Sequence, residues 1–301
     1  MGGGSVRSKH IAAAVATRRG PTQGETVMAR SVPARAPLVA GAVALLVAGL
    51  GACSSAGDDQ EPETRSFALE GTTLTVDAED SALEIVASDE HAGGRIEVTR
   101  WFDGSVVAGG DPKVTWEMAD GDRLVLREDC SGFIADCSSK HRVEVPRGVD
   151  VKVVNGDGSV RADGFRDALS IRTADGSVNV TGTTGPLDLR TGDGSVRVED
   201  ATGPLRLHTE DGSIHADVDS REVRARTGDG SVRLELGSVP DLVESRSGDG
   251  SVTIDLPRAA YRVATETGDG SVDVSVPRDE SSDHVVSART GDGKVTVRTA
   301  N

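Results

Sequence analysis

Eight aspartates recur within the phrase G-D-G-S-V or a close variant of it: Asp157, Asp175, Asp193, Asp211, Asp229, Asp249, Asp269 and Asp292. Their spacing is 18, 18, 18, 18, 20, 20 and 23 residues. Carboxylates repeated at a fixed interval can hold a hard divalent cation, so calcium is the cofactor chemistry to weigh first. The phrase departs from the nonapeptide G-G-x-G-x-D that binds calcium in β-rolls. Cations also stand close by. Three residues before the aspartates come Val154, Arg172, Arg190, His208, Arg226, Arg246, Glu266 and Arg289. Four residues after them come Arg161, Asn179, Arg197, His215, Arg233, Thr253, Asp273 and Thr296. One basic and one partly basic row thus flank the acidic row, and a ladder of ion pairs between them is expected. His208 and His215 fill slots that other copies give to arginine, and two imidazoles fall short of a zinc set. No metal site is assigned.

Catalytic constellations are missing from the sequence. It has no G-x-S-x-G, no H-E-x-x-H and no phosphate loop. The G-D-G phrase precedes no helix that could receive a phosphate. Acids and bases are spread over every copy, whereas an active site needs a local cluster. A polysaccharide-modifying β-helix enzyme is the alternative set aside on this ground, and no catalytic residue is assigned.

The front of the chain decides how the cysteines are read. Residues 38–52 are uncharged and rich in Ala, Val, Leu and Gly, preceded by Arg30 and Arg35. This is the layout of a secretory signal over 28–52, too short for a membrane span. Leu50-Gly51-Ala52-Cys53 matches a bacterial lipobox, so Cys53 is the expected lipidation site and the new N-terminus. Residues 1–27 read as an over-extended start, because Met28 opens an ordinary signal. Residues 53–64 are polar and acidic and read as a flexible tether. Outside the reducing cytosol, Cys130 and Cys137 are expected to form a disulfide.

Charge narrows the partners. Residues 1–52 hold six of the 33 Lys and Arg and one of the 49 Asp and Glu, so 53–301 carry 27 against 48, a formal −21. That argues against nucleic acid, whose binding requires phosphate neutralisation. It leaves the membrane, reached through the lipid, and an envelope protein or glycan as partners, with no small-molecule cofactor.

These residues need elements to position them. Around Asp193, Leu187, Leu189 and Thr191 alternate with Asp188, Arg190 and Gly192; after the turn, Val196 and Val198 alternate with Arg197 and Glu199. The Asp229 and Asp269 copies repeat the pattern. Alternation of period two predicts strands with one buried face. The T-G-D-G-S turn offers glycines able to take positive φ. Asp-Gly between such strands is also a hairpin signal, which would give an antiparallel meander of about sixteen strands needing closure. A solenoid needs none, because each coil roofs the next. The expected fold is therefore all-β: a single-chain parallel β-solenoid, or β-helix, with about 18–20 residues per coil. Residues 151–301 form the regular coils and 65–150 irregular first coils and a cap containing the disulfide. The last copy reads G-D-G-K-V, and Lys294 is expected to guard the terminal edge.

The run Val143-Glu-Val-Pro-Arg-Gly-Val-Asp-Val-Lys-Val153, followed by tandem G-D-G-S-V copies, resembles a bacterial "putative adhesin" β-solenoid family, a domain of unknown function, in an exported lipoprotein of actinomycete type. The resemblance spans about residues 65–300. It implies a right-handed solenoid with an extracytoplasmic, adhesin-like role at the lipid-anchored face of the cell membrane, and brings no catalytic residues. A calcium-stabilised structural or binding module is the alternative.

Overall fold

Each repeat divides between two sheets. A computed structural model describes residues 62–90, 94–109 and 112–300, leaving aside the side chains of 105–109 and 132–136. The start, the signal segment and Cys53 lie outside the described residues. Strand Leu187–Thr191 belongs to an eleven-stranded sheet, and strand Val196–Ala201, beyond the G-D-G-S turn, to a twelve-stranded one. Neighbours within a sheet are equivalent strands of adjacent repeats, in parallel and in register. Leu169 pairs with Leu187, Leu187 with Leu205 and Leu205 with Val223; opposite them Val178, Val196, Ile214 and Val232 form a second ladder. The protein is thus an all-β solenoid, and the hairpin meander is excluded because the strands flanking each turn do not pair. One repeat cannot bury its apolar side alone, but two facing sheets can.

The core lies between the sheets and is built of aliphatic side chains stacked in rows. Leu189, Val198, Ala216, Val223 and Leu234 are fully buried. Burying each Leu or Val contributes about 1.5–3 kcal/mol, so the regularity of the rows matters more than any one member. The longer connections carry the large fillers. Phe165 is buried between strands, and Tyr261 is fully buried with its Oη donating to the Pro257 carbonyl at 2.8 Å.

Sequence order and spatial order part company at both ends. Strand Thr73–Ala78 lies between Arg123–Asp129 and Asp150–Asn155, and Ala82–Ser88 between Gly132–Pro146 and Val160–Asp163. Antiparallel strands then cover this end: Lys113–Ala119 on Arg123–Asp129, Arg95–Gly109 on Gly132–Pro146, and Glu63–Ala68 outermost. Glu63–Ala68 takes in Glu63 and Thr64, the last residues of the stretch read as tether. Cys130 and Cys137 form a disulfide joining the end of one strand to the next.

At the other end the final copy in sequence is next to last in space. Val285–Thr290 inserts between Leu242–Arg246 and Arg262–Thr267, and Val295–Thr299 between Val252–Leu256 and Val272–Val274. The chain steps over one strand spacing, about 4.8 Å, and the longer connections of the 20- and 23-residue repeats span that gap. Lys294 accordingly does not guard the terminal edge. Its Nζ lies 3.9 Å from Asp273 on the coil beyond, while the edge strands are Arg262–Thr267 and Val272–Val274.

Candidate functional site

The G-D-G-S turns stack as the strands do, and the structure assigns their residues distinct tasks. Two residues before each aspartate an inward hydroxyl ties one turn to its neighbour. Thr209 Oγ1 donates to the carbonyls of Gly192 at 2.7 Å and Gly194 at 2.9 Å. Thr191 bonds Gly176 at 2.8 Å, Thr227 bonds Gly212 at 2.8 Å and Ser247 bonds Gly230 at 2.8 Å. Asn155 opens the ladder, its Nδ2 donating to Gly158 at 2.6 Å and to Ser81 at 3.1 Å. The Gly192 carbonyl also accepts from the Glu210 N–H at 3.0 Å, whereas leaving a buried acceptor such as that of Gly194 without a donor costs about 1–3 kcal/mol.

The glycines are required for a different reason from the one the sequence implied. None of the G-D-G glycines has a positive φ; those that do include Gly71, Gly121, Gly148 and Gly182. A Cβ on Gly194, Gly212, Gly230 or Gly250 would instead sit under 3.0 Å from the carbonyl of the equivalent glycine in the adjacent turn. Backbone stacking at this closeness excludes any side chain.

All eight turn aspartates are exposed. Their carboxylates lean along the stack, so that Oδ1 of Asp175, Asp229 and Asp249 lies 3.3, 3.5 and 3.4 Å from where a Cβ on Gly192, Gly248 and Gly291 would be. Among the described residues no ion pair involves a turn aspartate, which corrects the expected ladder between the acidic row and its basic neighbours. The turn aims the carboxylates into solvent while the arginines extend from the flat strands. Nor do three turn carboxylates converge. The one described trio of potential ligands within 4.8 Å is Glu128 with Cys130 and Cys137, whose sulfurs are committed to the disulfide.

The outer faces of the two sheets pair their arginines to different extents. On the twelve-stranded sheet an acidic row runs two residues beyond the basic one. Arg197 meets Glu199 at 3.5 Å and Arg233 meets Glu235 at 2.6 Å. Asp255, only 8% exposed, accepts from Arg298 and lies 3.9 Å from Arg233. Arg161 makes no ion pair with described residues. On the eleven-stranded sheet Arg190 pairs with Asp188 at 2.9 Å and Arg224 with Glu244 at 3.2 Å. Arg172, Arg206, Arg226 and Arg246 make no ion pair with described residues. Strand pairing places Arg190, His208, Arg226, Arg246 and Arg289 side by side, so His208 is a member of this row. Like charges one strand spacing apart repel by about 0.9 kcal/mol even at water's dielectric constant. An open cleft of about 360 Å³ runs among Arg190, Arg206, Arg224, Arg226 and Arg246. His215 sits between Arg197 and Arg233 on the opposite sheet, facing away from this cleft.

A third cluster was not legible in the sequence. At the covered end His141 is 1% exposed and its Nδ1 lies 2.6 Å from Ser81 Oγ, which also meets Ser139 Oγ at 2.9 Å. Burial, with the Arg100 guanidinium adding to it, holds this imidazole down to about 4. Trp116 stacks nearby, with Arg65 and Arg100 over its ring at 4.5 and 4.8 Å. Ser81 is 4% exposed, so this serine–histidine contact is closed to substrate. The parallel pairing of Ala82–Ser88 with Gly132–Pro146 brings Ser81 to His141, and no local spacing announces it.

The fold and its faces define a two-sheet β-solenoid with stacked G-D-G turns. Residues 134–244 match the family model described as Toastrack DUF4097. Among solved structures, the chain is similar to a "putative adhesin" from Parabacteroides merdae, 14% identical with a TM-score of 0.52, over 79% of this chain and 96% of that one. It is similar in the same degree to a "putative adhesin" from Parabacteroides distasonis, 14% identical with a TM-score of 0.52, over 80% of this chain and 98% of that one. At this identity the likeness establishes the fold. No curated protein matches the chain. Among the described residues no helix is long and apolar enough to cross a membrane.

Proposed function

We propose that this protein is a non-enzymatic, adhesin-like scaffold, lipid-anchored through Cys53 at the extracytoplasmic face of the cell membrane, whose solenoid face holds a component of the cell envelope. The observation that carries the reading is the outer face of the eleven-stranded sheet, where Arg172, Arg206, Arg226 and Arg246 stand without acidic partners on a strongly acidic chain. Flat faces built from repeats suit extended contacts. The names of the two similar structures agree with a binding role. The scarcity of any localised acid–base cluster supports the non-enzymatic part, since the buried Ser81–His141 pair is sealed from solvent.

Two measurements test it. Full-length protein expressed in its host should fractionate with membranes and incorporate radiolabelled fatty acid, and Cys53→Ser should abolish the label. Tagged full-length protein should retain an envelope component from detergent-solubilised native envelope. Retention of nothing above a tag-only control removes the scaffold reading.

A further inference from the structure

Within the binding-scaffold reading, on which this step rests, we infer that the arginine rows of the eleven-stranded sheet bind a linear anionic glycan lying along the stack, across the strands. Three features point to that ligand class. First, the cations are periodic. Strand pairing sets Arg226 beside Arg246 and Arg206 beside Arg224, so that arginines of neighbouring repeats stand one strand spacing, about 4.8 Å, apart; the second row is Arg206 and Arg224, with Asp188 and Glu244 at its ends. A glycan bearing one carboxylate or phosphate on each sugar presents oxyanions at a distance of the same order. Guanidinium groups are suited to such oxyanions because their paired N–H donors match the two oxygens.

Second, the rows bound a cleft. The space of about 360 Å³ lies between Arg190, Arg206, Arg224, Arg226 and Arg246, with Asp188 and Glu244 also lining it, and is open to solvent. Its shape admits a strand of polymer and gives no closed pocket for a small molecule. Third, the cleft is net positive, five arginines against Asp188 and Glu244, with further carboxylates at both margins. The turn row, with Glu210 and Asp211, lines one side, and Glu222 stands at the other. An anionic chain is therefore confined to the arginine rows and aligned with them. The opposite sheet lacks this arrangement, because Glu199, Glu235 and Asp255 occupy Arg197, Arg233 and Arg298.

The test is binding of full-length protein in detergent to immobilised polygalacturonate, to polyglycerol phosphate and to neutral dextran. We expect binding to one or both anionic polymers and none to dextran, with affinity falling at least tenfold between 50 and 200 mM salt as roughly three or more contacts are screened. Which anionic polymer binds says whether carboxylate or phosphate is the recognised group. The double substitution Arg226→Glu with Arg246→Glu should weaken binding at least tenfold. Arg226→Lys with Arg246→Lys should retain most of it. The matched reversal Arg197→Glu with Arg233→Glu on the other sheet should change it less than twofold. Circular dichroism establishes that each variant is folded, and Arg226→Gln with Arg246→Gln replaces the reversal if it does not fold. Binding to neither anionic polymer, equal binding to dextran, or equal loss from both sheets overturns the inference. If wild type retains an envelope component that the Arg226 and Arg246 variants retain equally well, the scaffold reading stands and the arginine rows are not its site.

Discussion

The two outer faces come from the same repeats and the same turns, yet one is electrostatically closed and the other open. On the twelve-stranded sheet the residue two places beyond the turn-proximal arginine is acidic, as in Arg197 with Glu199 and Arg233 with Glu235. On the eleven-stranded sheet the corresponding place, two residues before, is Asp188, Arg206, Arg224 and Glu244 in four successive repeats. In the two central repeats the second row therefore adds positive charge where the first sheet's second row cancels it. Stacking turns a small difference within a repeat into a property of a whole face. A repeat protein can thus make one side inert and the other adhesive without altering its core.

The largest expected effect breaks both faces at once, since they share the coil. Gly212→Val places a side chain within 3.0 Å of the Gly194 carbonyl and should destabilise the protein by about 3 kcal/mol or more, measured by urea denaturation. Full stability in that variant would mean the turns are not closely stacked.

A change of similar size separates the covered end from the faces. His141 is neutral in the folded state with its pKa lowered to about 4, whereas the unfolded chain binds a proton near pH 6.5. The unfolded state therefore binds more protons between those values. The contribution of His141 to stability should be constant above about pH 6.5 and fall by about 3 kcal/mol as pH drops toward 4. Denaturation of wild type and His141→Gln at pH 7 and pH 4.5 checks this, and the variant should lose that part of the slope.

Charge removal should then distinguish the faces by sign. Asp255→Asn strips a nearly buried carboxylate from Arg298 and should cost about 1 kcal/mol. Arg226→Ala relieves repulsion from its neighbours along the row and should be neutral or stabilising by a few tenths of a kcal/mol, since exposed screened charges interact weakly. Equal destabilisation by both would remove the distinction. Smallest of all, millimolar calcium should leave the melting midpoint within about 1 °C of its value in chelator, because no three turn carboxylates converge. A rise of several degrees would assign the aspartate row a cation after all.

Much of this was legible in local pattern. The period and the two-residue alternation implied strands, coils and inward rows, and Leu189, Val198 and Thr191 do face inward. Compartment and spacing implied the pairing of Cys130 with Cys137, which the structure contains. The turn aspartates were correctly located on turns, but their glycines were assigned the wrong reason, because φ depends on how the turn closes and crowding depends on the adjacent coil. The ion pairs were also misassigned. Three residues of extended backbone span about 10 Å and set their side chains on opposite faces, so spacing along the chain did not bring the arginines to the turn aspartates.

Periodicity by itself determined that equivalent residues stack, since apolar rows at a constant interval are buried only when copies lie over one another. It could not determine which copy lies next to which. Val285–Thr290 and Val295–Thr299 are so similar to the other copies that any neighbouring slot would accept them, and only the span of the connecting segments around Tyr261 places them inside the terminal coil. The cluster of Trp116, His141 and Ser81 likewise exists only because strands distant in the chain meet there, Ala82–Ser88 in parallel with Gly132–Pro146 and Lys113–Ala119 antiparallel to Arg123–Asp129. Local chemistry is written residue by residue, whereas the order of interchangeable units is decided by the geometry that connects them.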